Sequence, residues 1–276
     1  IEVAYSNVSI ALSQRKYTLD ILGDVGLRDS KPVDTPMDPC VKLDNEQGDL
    51  LYDFEKYRRL VGKLNYLTIT RIDISFAVRV VSQFMHDPRA SHLEAVYRIM
   101  RYLKSASSRG ILFSNNGHLR LEAFTDTDWA GSRDDRRSTS GYCTFLKGNL
   151  VTWRSKKQSV VARSNAEAEY RAMVQGVCEL LLRLLLKDLG IIHEKSMSLY
   201  FDNKAAINIT HNPIQHDRTK HIEIDRHLIK EKLDHKLICT PFVSSENQLA
   251  DIFTKGLNCK QFNCIVCKLG MRNIYA

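Results

Sequence analysis

The sequence predicts an α/β fold over its second half, preceded by a mainly helical first region. Two observations favour this division. β-prone runs alternate with helical patterns after residue 113, whereas amphipathic helical patterns dominate before residue 112. The predicted order in the second half is three strands, helix, strand, helix, strand and helix. A third observation concerns chemistry, because carboxylates recur where strands end or helices begin.

The first three strands of the second half precede any long helix. The run 119–126 alternates apolar with other residues and ends in an aspartate. The runs 141–148 and 149–154 are β-prone and join at Gly148 and Asn149, residues that suit the positive φ angles of a tight hairpin turn. We therefore expect a strand that delivers a carboxylate at its end, followed by a hairpin.

The first long helix begins at Ser164 and brings two carboxylates close together. Ser164 and Glu167 fit a capping box, in which the hydroxyl accepts from the backbone three residues on and the glutamate reaches back. Glu169 instead lies on or beside the apolar stripe of the helix. Because burying a carboxylate is costly without a cation or a hydrogen-bond donor, Glu169 is a candidate metal ligand.

Two further carboxylates follow similar patterns. The run 197–202 alternates into Asp202, which opens a short helix, and an N-cap is its competing interpretation because N-caps are common. The run 237–243 is predicted to be a strand, and 245–248 fits a second capping box for the helix that carries Asp251. Asp251 alone indicates little, since an exposed helical aspartate is usually solvated. The order of the elements is what favours a shared metal site.

Residues 1–112 are predicted to form one unit and 113–257 another, with 258–276 as a C-terminal tail. The first unit starts with a hairpin around Asn7 and contains a proline-rich connector at 31–39. Its helices are expected over residues 14–22, 54–69, 74–85 and 91–104.

The composition favours a nucleic-acid partner. A net charge of +8 and a pI near 9.1 attract polyanions. Seven cysteines without a secretory signal favour a reducing compartment and free thiols, and no apolar run approaches the roughly 20 residues of a membrane span. A zinc site at Cys259, Cys264 and Cys267 is an alternative, but no local histidine completes it.

An arginine-rich loop follows the first strand of the second half. Arg133, Arg136 and Arg137 surround Asp134 and Asp135, so local charge pairing explains the two aspartates. Arginines in a loop suit contacts to phosphates, although a charged run is often only a solvated face.

Several short motifs carry a resemblance to a known family. They are Phe124–Gly131, Arg136–Gly141, Trp153–Ser159, Ala166–Tyr170, Asp202–Ala206, Thr219–Ile222 and Gln248–Asp251. Together they resemble the ribonuclease H domain of plant copia-type long-terminal-repeat retrotransposon polyproteins. The resemblance implies a ribonuclease H-like fold, in which a mixed five-stranded sheet with its first three strands antiparallel is flanked by helices. It also implies hydrolysis of the RNA strand of an RNA–DNA hybrid with two Mg²⁺ ions, for which Mn²⁺ can substitute.

The resemblance assigns the metal ligands to the four carboxylates that the element order selects. Asp126 is expected to bridge both ions, with Glu169 and Asp202 as flanking ligands. Asp251 is expected to be the outer ligand of the water-activating ion. Nucleic-acid contacts are expected from Arg133, Arg136, Arg137, Asn203, Lys220 and His221. For His221, a capping or packing role is the alternative to a nucleic-acid contact.

The first region resembles the last part of a copia-type reverse transcriptase, which holds the primer-grip hairpin, thumb and connection. The motifs are Leu12–Tyr17, Tyr57–Tyr66 and Asp73–Ala77. No Asp-Asp turn flanked by Tyr or Phe lies between apolar runs, so polymerase activity is not expected. The resemblance implies an RNA–DNA hybrid and the upstream polymerase portion of the same polyprotein as partners, and no membrane. It implies an intracellular location, in a cytoplasmic virus-like particle or the nucleus.

A non-catalytic, decayed remnant is the competing interpretation. The run 179–186 is one residue shorter than the family pattern and lacks its tryptophan. A deletion within a helix rotates the following residues by about 100° and would misalign the apolar stripe. Such a remnant would at most bind nucleic acid through its basic surface.

Overall fold

A computed structural model describes residues 1–177, 180–191, 195–211 and 223–275. The chain divides into two compact units, each with its own β-sheet. The first unit comprises Ile1–Asn115, Ser132–Asp134 and Lys255–Ala276, and the second comprises Asn116–Gly131 and Asp135–Thr254.

The strands are β1 (Glu2–Tyr5), β2 (Ser9–Ser13), β3 (Arg109–Ser114), β4 (Leu121–Asp128), β5 (Thr139–Leu146), β6 (Asn149–Lys157), β7 (Met197–Tyr200), β8 (Ile238–Cys239) and β9 (Met271–Asn273). The helices are α1 (Arg15–Asp24), α2 (Phe54–Leu67), α3 (Ser75–Val81), α4 (Ala90–Ser105), α5 (Asn165–Val177), α6 (Leu181–Asp188), α7 (Lys204–His211), α8 (Glu223–Asp234) and α9 (Cys259–Lys268). Short 3₁₀ helices cover Ile72–Ile74, Ser82–Phe84, Ser245–Asn247 and Leu249–Phe253.

The sheet of the second unit has the strand order β6-β5-β4-β7-β8. β5 is antiparallel to both β4 and β6, whereas β7 is parallel to β4 and β8 is parallel to β7. The predicted mixed sheet with three antiparallel first strands is therefore confirmed. Because β7 runs parallel beside the central strand β4, the carboxyl ends of these two strands meet at one edge of the sheet.

Helix α5 packs on this sheet through buried side chains. Tyr170 and Met173 belong to the same core as Leu199 of β7. Gly176 allows the close approach, since a Cβ atom at this position would lie 2.5 Å from Thr125 Cγ2. The helix therefore lies directly against β4, the strand that carries the predicted first carboxylate.

The turn between β5 and β6 lies one residue earlier than expected. Lys147 and Gly148 have the positive φ angles, 56° and 71°, and Asn149 is already the first residue of β6. Two successive positive φ angles match the twist of the flanking strands, which is why this turn type joins them. The hairpin prediction is confirmed, and its turn is corrected to Lys147 and Gly148.

The segment around Asp251 is not the α-helix that the second capping box predicts. Gln248 has an extended backbone, with φ −72° and ψ 104°, and separates the two short 3₁₀ helices. Its side-chain oxygen accepts from Ala250 N at 3.2 Å, and its amide nitrogen donates to Thr125 O at 2.9 Å. The fully buried Gln248 therefore ties the segment to β4, and two short 3₁₀ helices replace the predicted single helix from Ser245 through Asp251.

The first unit contains the expected hairpin and helices, together with a sheet of order β1-β2-β3-β9. β3 extends across the predicted boundary after residue 112, and it pairs with both β2 and β9. Residues 258–276 were predicted to be a tail, but they supply α9 and β9 to this unit. The difference arises because the pairing of β3 with β9 joins residues far apart in sequence.

A buried ion pair lies at the centre of the first unit. Arg71 donates to the two carboxylate oxygens of Asp73 at 3.0 and 2.7 Å, and the Tyr102 hydroxyl also donates to this carboxylate. All three side chains are buried. Burial raises the pKa of Asp73, but the charge and hydrogen bonds of Arg71 outweigh this effect and hold the pKa below its ordinary value.

Helix α6 carries leucines on more than one face. Leu186 is buried and Leu182 packs on the core of the second unit. Four leucines of this region are more than half exposed, namely Leu181, Leu184, Leu185 and Leu189.

Candidate metal centre and nucleic-acid surface

Asp126 lies in β4, two residues before the strand ends at Asp128. Its carboxylate is buried and accepts a hydrogen bond from the Thr254 hydroxyl. Thr254 lies just beyond the 3₁₀ helix Leu249–Phe253, which packs closely on β5: a Cβ atom at Gly141 would lie 2.7 Å from Phe253 Cβ. Gly141 pairs with Asp126 across the sheet, so the 3₁₀ segment covers Asp126 from the β5 side.

Glu169 lies in the second turn of α5 and is buried. The Ser164 hydroxyl accepts from Glu167 N at 3.2 Å, as the capping box predicts. Glu167 reaches back to Arg163 N at 2.7 Å, and it also pairs with Arg171 at 3.1 Å. These contacts engage Glu167 at the helix start, whereas Glu169 is the carboxylate of α5 that joins the cluster described below.

Asp202 follows β7 and does not cap the next helix. The side-chain oxygen of Asn203 accepts from Ala205 N at 3.0 Å and from Ala206 N at 3.1 Å, so Asn203 caps α7. Asp202 instead accepts from the Ser245 hydroxyl at 3.0 Å. The N-cap interpretation of Asp202 is therefore wrong, and the amide oxygen of Asn203, a predicted nucleic-acid contact, has a local structural role.

The structure brings three of the four predicted carboxylates together. One carboxylate oxygen from each of Asp126, Glu169 and Asp202 lies within 4.8 Å of the other two. Three negative groups at this spacing repel one another unless a cation or protons neutralise them. Carboxylate oxygens are the ligands that Mg²⁺ and Mn²⁺ prefer, so the donor set fits a hard divalent cation.

Asp251 is buried but lies outside this group of three. Its backbone oxygen accepts from Thr254 N and from the Thr254 hydroxyl, both at 3.2 Å. The same hydroxyl contacts Asp126, so one threonine joins the segment of Asp251 to the cluster. Asp128, the last residue of β4, packs against Gly131, where an added Cβ atom would lie 1.8 Å from its Oδ2.

The arginine-rich loop is divided between the two units. Arg133 is exposed and lies 3.6 Å from Asp44 within the first unit. Arg136 is exposed and has a positive φ angle of 55°. Arg137 lies 3.6 Å from Asp135, and Lys157 lies 2.9 Å from the same carboxylate. The predicted local charge pairing is confirmed for Asp135. Two further predicted contact residues, Lys220 and His221, lie outside the described residues.

The sequence does not predict the contacts of two site residues. Thr254 contacts Asp126 across 128 positions of chain, and Gln248 contacts the backbone of Thr125 across 123. Neither forms a motif whose spacing predicts the contact. A buried, hydrogen-bonded polar residue is recognised only once the fold brings the two segments together.

The cysteines of the zinc alternative lie at exposed positions of one helix. Cys259, Cys264 and Cys267 are free and exposed on α9. In the described part of the chain, the group of acidic, histidine and cysteine side chains whose spacing suits a metal is that of Asp126, Glu169 and Asp202. None of the helices described there has the length and apolar character needed to cross a membrane.

The sheet order and strand directions of the second unit define a ribonuclease H-like fold. No protein-family profile matches the chain. The retrovirus-related Pol polyprotein from transposon RE1 of Arabidopsis thaliana is 41% identical over 280 residues, covering 99% of this chain and 19% of the relative. The corresponding polyprotein from transposon TNT 1-94 of Nicotiana tabacum is 35% identical, covering 95% and 20%.

The chain belongs to the copia-type retrotransposon Pol polyprotein family. It spans about a fifth of the length of these relatives. Among solved structures, LC11-RNase H1 in complex with an RNA/DNA hybrid is 14% identical, with a TM-score of 0.38 over 49% of this chain and 94% of that one.

Proposed function

We propose that the chain hydrolyses the RNA strand of RNA–DNA hybrids, as the ribonuclease H part of a retrotransposon Pol polyprotein. The observation that carries this proposal is the cluster of the buried Asp126 and Glu169 with the half-buried Asp202 in a ribonuclease H-like fold. Family membership supports it, because such polyproteins copy RNA into DNA and generate hybrids.

The proposed ligands are those that the sequence selects. Asp126 would hold both Mg²⁺ ions, with Glu169 and Asp202 as the flanking ligands, and Asp251 would act from outside the group of three. When bound, the ions supply an activated water for in-line attack and stabilise the departing 3′ oxygen. Mn²⁺ shares the preference for oxygen ligands and is the proposed substitute.

The residues around the cluster orient its carboxylates. The Thr254 hydroxyl donates to Asp126 and restricts rotation of this carboxylate. Asn203 caps α7, so Asp202 is not engaged with the backbone of that helix. Ser245 donates to Asp202 from the segment that also carries Asp251. Side chains held in this way lower the entropy that is lost when ions and substrate bind.

Substrate recognition would combine charge with the RNA-specific hydroxyl. The proposed phosphate contacts are Arg136 and Arg137 in the second unit and Arg133 in the first, with Lys220 and His221 as further candidates. The 2′-hydroxyl occurs only on RNA and would determine which strand is cut. The upstream polymerase portion of the polyprotein would be the protein partner, and the virus-like particle or nucleus the site of action.

A non-catalytic remnant is the second candidate, and helix α6 favours it. Four leucines in and next to this helix are more than half exposed, as a shifted apolar stripe would leave them. Such a chain would bind hybrids through its positive charge without cleaving them. The two candidates differ in one measurable property, which is metal-dependent cleavage.

The test is a cleavage assay with the full 276-residue chain. A hybrid labelled on the RNA strand is incubated with Mg²⁺, with Mn²⁺ and with EDTA, beside the same sequence as duplex DNA. The proposal expects cut RNA with either metal, no cleavage in EDTA and no cleavage of duplex DNA. Hybrid binding without cleavage in either metal would support the remnant instead.

A further inference from the structure

Trp129 is an exposed aromatic residue close to the carboxylate cluster. It follows Asp126 by three residues, so the two Cα atoms lie within about 11 Å, the reach of three extended residues. The residue is 47% exposed. Its indole Nε1 donates to Ala162 O at 3.1 Å. The only polar atom of the ring system is therefore bound by the protein, and this hydrogen bond restricts the ring while leaving much of it open to solvent.

Two exposed valines lie next in sequence to the residue that holds this ring. Val160 is 43% exposed and Val161 is 51% exposed, and both directly precede Ala162, the residue that accepts from the indole. A single exposed apolar side chain is common, but an anchored tryptophan beside two exposed valines is a surface that marks interaction sites. We call these three residues, Trp129, Val160 and Val161, the Trp129 patch.

The Trp129 patch lies on the loop that follows β4, which carries Asp126, and on the loop that precedes α5, which carries Glu169. Trp129 directly follows β4, and the valines precede α5. Ala130 N donates to Ser138 Oγ at 3.1 Å, which holds the loop after β4 against the residue preceding β5. The position of the patch is therefore fixed by the same strands and helix that position the carboxylates.

Two exposed basic residues flank the valines of the Trp129 patch in the sequence. Arg163 follows Ala162 and is exposed, and Lys156 is exposed near the end of β6. A ligand that suits this surface offers an apolar face between negative charges. A nucleotide strand has this chemistry, because its bases and sugars alternate with phosphates, and aromatic side chains bind such faces without regard to sequence.

We propose that the Trp129 patch binds a nucleotide of the RNA–DNA hybrid next to the phosphate that is cut. The indole ring packs against the sugar and base of this nucleotide, while Arg163 and Lys156 face its phosphates. The inference rests on the proposed hybrid substrate, and it assigns Trp129 to substrate binding and not to the chemical step.

Binding is measured without cleavage, with Ca²⁺ in place of Mg²⁺ and a fluorescein-labelled hybrid. Trp129→Ala should raise the Kd about 5- to 30-fold, and Trp129→Phe, which keeps an aromatic face, should raise it less than about threefold. The slope of log affinity against log salt should not change, because the ring carries no charge. Leu184→Ala is the matched control, since it removes an exposed apolar side chain from α6, and it should leave the Kd unchanged.

A second readout keeps Trp129 itself in place. The chain has two tryptophans, so Trp153→Phe leaves Trp129 as the only source of tryptophan emission. Saturation with hybrid should change this emission and reduce its quenching by acrylamide. If thermal unfolding shows that Trp129→Ala is misfolded, this fluorescence experiment still tests whether Trp129 contacts the hybrid.

The inference is overturned if folded Trp129→Ala binds as tightly as the unchanged chain, or if hybrid leaves the emission and acrylamide quenching of Trp129 unchanged. It is independent of turnover. A chain that cleaves nothing but whose Trp129 responds to hybrid supports the inference and contradicts the proposed catalysis. A chain that cleaves hybrids while Trp129 is unaffected supports the proposed catalysis and contradicts the inference about Trp129.

Discussion

Each unit buries an aspartate, and the two aspartates have different neighbours. In the first unit, Asp73 accepts two hydrogen bonds from Arg71 and one from Tyr102. In the second unit, Asp126 accepts from the neutral Thr254 and lies among the carboxylates of Glu169 and Asp202. The first arrangement balances the charge within the protein, whereas the second collects negative charge at one place.

This difference separates a structural carboxylate from a candidate for chemistry. A buried carboxylate paired with an arginine loses its partner only at a large cost in stability, and it needs nothing from outside. Carboxylates gathered within 4.8 Å repel one another, and a bound cation offsets this repulsion. Burial alone therefore does not identify a functional aspartate, but the charge of its neighbours does.

The largest expected effect concerns the cluster itself. Asp126→Asn should lower Mg²⁺-dependent cleavage of hybrids about a thousandfold, because it removes charge from the proposed bridging position. The free energy of unfolding without metal should not fall, since the substitution relieves repulsion. Cleavage rates and thermal unfolding in EDTA measure the two effects.

Asp135→Asn is the matched control, because Asp135 pairs with Lys157 and Arg137 outside the cluster. It should change cleavage less than about threefold. A loss as large as that of Asp126→Asn would contradict a metal site formed by Asp126, Glu169 and Asp202.

In the first unit, by contrast, replacing the buried aspartate should lower the stability of the protein. Asp73→Asn should lower the free energy of unfolding by about 3–5 kcal/mol, because it leaves the buried Arg71 guanidinium without its counter-charge. Denaturant titration measures the loss. Unchanged stability would contradict the view that this pair is structural.

The pH dependence of stability gives a second view of the same pair. The pKa of Asp73 in the folded chain lies below its ordinary value of 3.8, so the pair contributes stability above the unfolded-state pKa. This contribution is lost as the pH falls through the lower folded-state pKa. The loss of stability on acidification below about pH 4 should therefore be smaller in Asp73→Asn than in the unchanged chain.

A smaller effect should follow from adding metal. If the cluster binds Mg²⁺ with a millimolar dissociation constant, 10 mM Mg²⁺ should raise the free energy of unfolding by about 1–2 kcal/mol. The increase should disappear in Asp126→Asn and persist in Asp135→Asn. Calorimetry with and without EDTA provides the measurement, and an equal increase in all three proteins would indicate binding elsewhere.

The smallest effect is expected on α6. Leu184→Gln should change the free energy of unfolding by less than about 0.5 kcal/mol, because Leu184 is more exposed than buried. Leu186→Ala, at the buried position of the same helix, should cost about 2–3 kcal/mol. Equal costs in denaturant titrations would mean that the exposed leucines are covered in solution.

Strand alternation and the position of helix stripes were sufficient to predict where Asp126, Glu169 and Asp202 lie. Local patterns have a period that fixes the face of each residue, so these predictions survive small errors in element bounds. Predictions of helix caps are less tolerant of such errors in element bounds. A shift of one residue moves the cap from Asp202 to Asn203, and neighbouring polar residues carry equal propensity for this position.

Contacts between distant segments were not predicted. Thr254 reaches Asp126, and β9 reaches β3, through the packing of segments whose separation leaves no periodic signal. The same limit explains why residues 258–276 were expected to be a tail. Their apolar residues Phe262, Ile265 and Val266 are buried, as in the other helices of the first unit.

The pairing of β3 with β9 has a consequence for synthesis of the chain. The sheet of the first unit is incomplete until residues 271–273 emerge from the ribosome, after the whole second unit has been made. During that interval β3 has an open edge, which is a template for pairing with other chains. The sheet of the first unit is therefore completed only after the second unit has been made, and newly made chains should be more prone to aggregation until β9 pairs with β3.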